Sequence, residues 1–184
     1  MRYIIRAVKD RVEFIAYLQK HLPQSEWCFD KTRNAMDTFL DAMKMAGDDA
    51  CVHMEEDILL TQDFVHKINA EIAQRPNELI QFFSMRNADL IEGSRHDKSY
   101  MMNQCFYLPA GYSRMIYEFY ANWNGKIKDP TGTDIMINDW LKIRKEKYWI
   151  SIPSLVEHRI CKSAINPRRS SKRQSKTFVN PIND

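Results

Sequence analysis

Residues 50–61 read ACVHMEEDILLT: an apolar run leads into three consecutive acids, Glu55, Glu56 and Asp57, and resumes at Ile58, Leu59 and Leu60. Adjacent carboxylates repel one another, and the β-branched and aliphatic residues on both sides place them at the end of a strand. Open α/β sheets bind their ligands there, in the crevice beyond the carboxyl ends of the strands. In extended backbone the side chains alternate, so Glu55 and Asp57 share one face and Glu56 takes the other. Two oxygens on one face suit a hard divalent cation, and that cation suits a diphosphate. A solvated acidic turn is the competing reading, and the flanking chain has to decide between them.

Outward from this stretch, residues 2–8 (RYIIRAV) form a short apolar run of strand type. From Asp10 the period becomes helical, with Ile15, Leu18 and Leu22 on one stripe and Pro23 as its stop. Residues 26–30 (EWCFD) read as a second strand ending in an acid, and Met36, Phe39, Leu40 and Met43 as the stripe of an amphipathic helix closed by Gly47. Beyond the acids, Thr61 is the expected N-cap of a helix carrying Val65, Ile68 and Ile72 on one face and closed by Pro76. Residues 79–84 (LIQFFS) read as a fourth strand, 85–99 as a polar loop over the site, and 104–108 (QCFYL) as a further strand. Two more helical stripes follow, Ile116, Phe119, Tyr120 and Trp123, then Ile137, Trp140, Leu141 and Arg144, before a last strand at 148–152. Strands alternating with helices predict one α/β domain with a mainly parallel sheet covered on both faces. The aromatic and methionine stripes are read as its core.

A length of 184 residues suits a single domain, and 44% hydrophobic content is enough to fill it. No apolar run nears the ~20 residues of a membrane span. The opening MRYIIRAVKDR is charged too early for a signal peptide, so a cytosolic protein, or one in a host cytosol, is expected, with no membrane partner. Cys28, Cys51, Cys105 and Cys161 stand far apart and read as buried thiols rather than bridges or zinc ligands. The net charge of +3 hides an asymmetry, because Arg159, Lys162, Arg168, Arg169, Lys172, Arg173 and Lys176 form a run of seven cations without an acid, leaving about −4 elsewhere. A mildly acidic body with a basic C-terminal arm suits an anionic partner, although a solvated tail has the same composition.

In their order along the chain these segments resemble the nucleotide-sugar glycosyltransferases of the GT-A fold, a Rossmann-like α/β architecture. Members carry a DxD-type motif at a strand end, which binds Mn2+ or Mg2+ on the donor diphosphate. MEEDILLT is similar to the LEDD form of that motif, with Glu55 where many members have Asp. PSLVEH, residues 153–158, is similar to a PSLxQH phrase whose histidine is a late metal ligand. The resemblance thus implies Glu55, Asp57 and His158 as metal ligands. DKTRNAMDTF, residues 30–39, resembles the segment beside uracil and ribose. It implies Asp30, Arg33 and Asn34 there, with Arg6 and Arg11 from the end of the first strand. TGTDIMINDWL resembles the element that supplies the base in inverting members, which implies Asp134. An ordinary first-turn aspartate, favoured by the helix dipole, fits that position equally. The tail resembles a mobile segment covering the diphosphate, which implies Lys162, Ser163, Arg168, Arg169, Lys172 and Arg173 as partners of the leaving phosphate. The division implied is a catalytic domain over residues 1–158 and a basic arm over 159–184.

The activity so implied is metal-dependent transfer of a sugar from a nucleotide-sugar, with a UDP-sugar favoured, to a hydroxyl acceptor. Small phage enzymes that glycosylate hydroxymethylated bases in duplex DNA are the expected group, since a basic arm suits the DNA backbone and base flipping gives access. A surface glycan is the alternative acceptor. His53-Met54-Glu55 mimics the H-x-E of zinc deaminases, but the PCxxC element that chemistry needs is missing. A metal-dependent nuclease or a non-enzymatic nucleic-acid binder accounts for the acids and the arm, but not for PSLVEH or the order of elements.

Overall fold

Alternating strand and helix patterns in the first third of the chain fold as β1 (Arg2–Ala7), α1 (Val12–His21), β2 (Glu26–Phe29), α2 (Ala35–Ala46) and β3 (Cys51–Glu55). The structure is a computed structural model and describes residues 1–96, 100–164 and 173–182. Strand β1 lies between β2 and β3 and runs parallel to both, with Ile4 opposite Glu26 on one side and His53 on the other. Helix α2 ends at Gly47, whose φ of 60° and ψ of −122° belong to a region side chains avoid. A Cβ there meets nothing nearer than 4.0 Å, so the cost of adding one is backbone strain alone. Gly47→Ala is accordingly expected to lower unfolding free energy by about 1–3 kcal/mol in urea denaturation.

The rest of the chain contributes β4 (Ile58–Leu60), α3 (Phe64–Gln74), β5 (Ile80–Gln81), β6 (Gly93–Arg95), β7 (Cys105–Leu108), α4 (Tyr112–Asn122), α5 (Thr133–Arg144), β8 (Tyr148–Ile150) and β9 (Val156–His158). The main sheet has seven strands in the order β2-β1-β3-β7-β5-β8-β6. Strands β7 and β6 oppose their neighbours, so five of the seven point the same way. A separate antiparallel ribbon joins β4 to β9, with Ile58 opposite His158.

Three local expectations change. The apolar residues after the acids form strand β4 rather than the approach to a helix, because β9 offers a ladder partner. Thr61 is not an N-cap: its hydroxyl donates to the Val179 carbonyl at 2.9 Å, and α3 begins after Asp63 in a left-handed conformation. The polar stretch 85–99 contains the edge strand β6, whose Gly-Ser-Arg sequence carries no apolar alternation.

Helices cover both faces of the sheet, with a core on each. One core gathers Tyr3, Ile5, Leu18, Val52, Met54, Phe64 and Ile68, and the other Met36, Phe39, Phe106, Ile116, Trp140 and Tyr148. Cys28, Cys51 and Cys105 are buried free thiols, and Cys161 is half-buried. Among the described residues no helix is long and apolar enough to cross a membrane.

Candidate functional site

Because β2, β1 and β3 are parallel neighbours, their carboxyl ends emerge side by side, and a cleft of about 90 Å3 opens beyond them. Arg6 and Arg11 enter it from the end of β1 and the turn into α1, Asp30 from the end of β2, and Glu55, Glu56 and Asp57 from the end of β3. From much further along the chain the same cleft receives Thr133 from α5 and Ser163, Ala164 and Arg173 from the C-terminal arm.

Strand alternation stops at Glu55. The Glu56 amide donates to the Arg6 carbonyl at 3.1 Å, while the Asp57 carbonyl accepts from the Arg159 amide at 2.8 Å. These two bonds hand the chain from the main sheet to the ribbon through a bend. As a result Glu56 and Asp57 both reach Arg11 Nη1, at 2.9 and 2.7 Å, instead of facing opposite ways. Glu55 turns elsewhere: Gln104 donates to it at 3.2 Å and the Arg6 guanidinium lies 3.6 Å away. Burial pushes the Glu56 carboxyl up to about 8, with the charge of Asp57 adding to the shift and Arg11 opposing it. Both carboxyls thus share one guanidinium, and the shift leaves Asp57 as its stronger ionic partner.

The ribbon register brings Asp57 to His158, with Oδ2 3.4 Å from Nε2 and both side chains buried. Arg173 Nη2 approaches the same imidazole nitrogen at 2.8 Å. Asp57 Oδ1 is buried and has no hydrogen-bond partner among the described residues. A buried carboxylate oxygen is costly to leave unmatched, and a cation would satisfy it. Asp57 and His158 thus fit a divalent cation. Among the described residues no three His, Cys, Asp or Glu side chains surround one point, and Glu55 stands to the side. Mg2+ commonly takes only one or two carboxylates from the protein and the remainder of its shell from substrate phosphate and water.

Arg6 forms the floor. Its guanidinium lies 5.2 Å from the Phe39 ring and 5.7 Å from that of Phe106, and it donates to the Asn103 carbonyl. Asp30 accepts from the Thr38 hydroxyl at 2.7 Å and from the Arg33 amide at 3.0 Å. The Arg33 side chain itself turns away to Asp10 on the surface. Asn34 caps α2, its side chain accepting from the Met36 amide at 2.9 Å, which gives it a structural task. Asp134 sits in the first turn of α5 and accepts from the Met102 amide at 3.3 Å and the Ile135 amide at 3.0 Å. Lys162 offers its carbonyl to Arg11 Nη2 at 2.7 Å, tying the arm to the acids. Arg168, Arg169 and Lys172 lie outside the described residues.

Some participants were not singled out from sequence. Glu56 was assigned to the far face by a rule that fails at the bend. Thr38 had a visible signal, a hydroxyl inside an otherwise apolar stripe, while Cys161, 3.8 Å from Asp57, had none. His53 belongs to the core, where its Nε2 meets the Ser113 hydroxyl at 3.1 Å and its ring stacks on Phe106.

No family model matches the chain, and no curated protein does. Among solved structures, the crystal structure of A197 from STIV is similar over 100% of this chain and 99% of that one, with a TM-score of 0.52 at 16% identity. A Bacillus anthracis protein assigned as a glucose-1-phosphate thymidylyltransferase, solved with sucrose, aligns over 84% of this chain and 69% of its own, with a TM-score of 0.48 at 12% identity. At these identities the similarity to A197 establishes a shared α/β fold along the whole chain.

Proposed function

We propose that the chain is a metal-dependent glycosyltransferase that moves a sugar from a nucleotide-sugar, a UDP-sugar first, to a hydroxyl acceptor. The observation that carries this reading is the meeting of Asp57 and His158, from distant parts of the chain, beside a cleft walled by Arg6, Arg11 and Arg173. One buried Asp57 oxygen there has no partner among the described residues. Bound Mn2+ or Mg2+ would supply Lewis-acid neutralisation of the leaving diphosphate.

The chain's own groups do the rest. Arg6, Arg11 and Arg173 present fixed positive charge where negative charge grows on the leaving group, which favours the transition state over the ground state. Asp30, fixed by Thr38 and the Arg33 amide, faces the cleft as a carboxylate acceptor for the donor's base or ribose. Ser163 of the arm lines the cleft, and it is assigned with the neighbouring Lys162 to the donor diphosphate. Asp134 is assigned as the base that takes the acceptor's proton. Arg33 and Asn34 support this wall from outside it, and Glu55 steadies Arg6 and can join the cation's shell. The acceptor assigned is a hydroxymethylated base in duplex DNA, to which the basic arm is suited.

A melting-temperature screen across UDP- and GDP-sugars, with and without Mn2+, tests the donor reading. A ligand at a hundred times its Kd adds about 2.7 kcal/mol, equivalent to roughly 5–10 °C for a domain of this size. The expected result is a rise with a UDP-sugar that requires the cation. No response to any sugar nucleotide, with Mn2+ or Mg2+ present, removes the proposal. Incubation with unmodified and hydroxymethylated duplexes, followed by mass spectrometry of the bases, decides the acceptor separately.

A further inference from the structure

From the contacts at His158 we infer that Arg173 is a resident cation which a divalent metal must displace, so that metal loading releases the C-terminal arm's guanidinium into the cleft. The inference rests on the metal reading of Asp57 and His158. A guanidinium nitrogen only donates, so Arg173 Nη2 at 2.8 Å requires a lone pair on His158 Nε2. Imidazole nitrogen has a single lone pair in the ring plane, and a metal bound at Nε2 takes that same pair. Arg173 and the metal are therefore alternative occupants of one atom.

The surroundings fit this exchange. Asp57 Oδ2 lies 3.4 Å from the same nitrogen. Positive charge stabilises the Asp57 carboxylate there, and Arg173 and Arg11 supply it. On the far side of the ring, His158 Nδ1 is buried and has no hydrogen-bond partner among the described residues. Arg173 Nε is likewise buried and unpartnered among the described residues, so there the guanidinium gives up a single hydrogen bond when it leaves.

The arm just beyond it is anchored independently. Ser175 donates its amide to Glu157 at 2.9 Å and its hydroxyl to Ser154 at 2.8 Å, and the Ile182 amide donates to the Leu60 carbonyl at 2.8 Å. Displacement thus swings one side chain on a fixed tether rather than detaching the tail. The released guanidinium faces whatever anion accompanies the metal, since Arg173 already lines the cleft.

Mn2+ binding, followed by the loss of the free-ion electron paramagnetic resonance signal, tests this in the full chain without substrate. Arg173→Met is expected to bind Mn2+ roughly tenfold more tightly than the parent, equivalent to about 1.4 kcal/mol. Equal or weaker binding by Arg173→Met, with the parent binding normally, overturns the inference and leaves the metal site standing. Failure of both proteins to take up Mn2+ overturns the metal site and the inference together. A measurement on the unaltered protein is independent of how the variant folds. In 15N-histidine-labelled protein, Mg2+ is expected to move the His158 Nε2 resonance away from its arginine-bonded position, and an unmoved resonance at saturating Mg2+ overturns the displacement.

Discussion

Arg11→Met is expected to destabilise the fold by about 3–5 kcal/mol, the range for removing one partner of a buried ionic group. Arg11 Nη1 is shared by Glu56 and Asp57, and Nη2 holds the Lys162 carbonyl, so a single guanidinium joins β3, the ribbon and the arm. Methionine keeps much of the side-chain length but leaves two adjacent carboxyls facing an apolar thioether. Burial already pushes the Glu56 carboxyl up, so the unmatched charge falls mainly on Asp57. Urea denaturation of Arg11→Met against the parent measures the loss. The triple variant Arg11→Met, Glu56→Gln, Asp57→Asn removes the stranded carboxyls and is expected to recover part of it. A loss below about 1 kcal/mol, the value of an exposed ion pair, would mean that the cluster is solvated rather than buried.

Turnover in Asp57→Ala is expected to fall at least on the order of a thousandfold, the upper range for deleting one preorganised electrostatic group at a reacting centre. The Mn2+-dependent melting response to a UDP-sugar should vanish with it. Alanine removes both the unpartnered Oδ1 and the Oδ2 that faces His158. Asp57→Asn is the sharper control, because it retains the volume and one oxygen while losing the charge. It should fold and still fail to show the Mn2+-dependent response. Wild-type-like transfer by either variant would falsify cation-assisted chemistry at this position, and urea denaturation run alongside separates lost function from lost fold.

The two halves of the chain differ in how much of them could be read without coordinates. From β1 to β3 each element carries its own period, as in the stripe Met36, Phe39, Leu40 and Met43 and the left-handed stop at Gly47. That information is local, contained within a window of a dozen residues, and it places the acids at the end of a strand in an α/β sheet. Strand direction is different, because period-two alternation is the same for parallel and antiparallel neighbours. The reversal of β7 between β3 and β5 was therefore not legible. Nor was β6, where Gly93, Ser94 and Arg95 lie at the sheet edge with no buried face to impose a pattern.

The site depended on the tertiary structure still more. Alternation along the acids holds only while the backbone stays extended, and the bonds from Glu56 to Arg6 and from Arg159 to Asp57 bend it at that point. Motif order suggested that Asp57 and His158 belong together, but their separation comes from the β4–β9 register, a pairing across a hundred residues that no local period encodes. The amino-acid sequence alone settled which segments alternate and which residue types stand at the strand ends, since burial patterns are written in nearest neighbours. Which of those residues touch was decided by long-range ladders and by where Arg11 and Arg173 place their charge, because hydrogen-bond register and ion pairing are properties of the assembled chain.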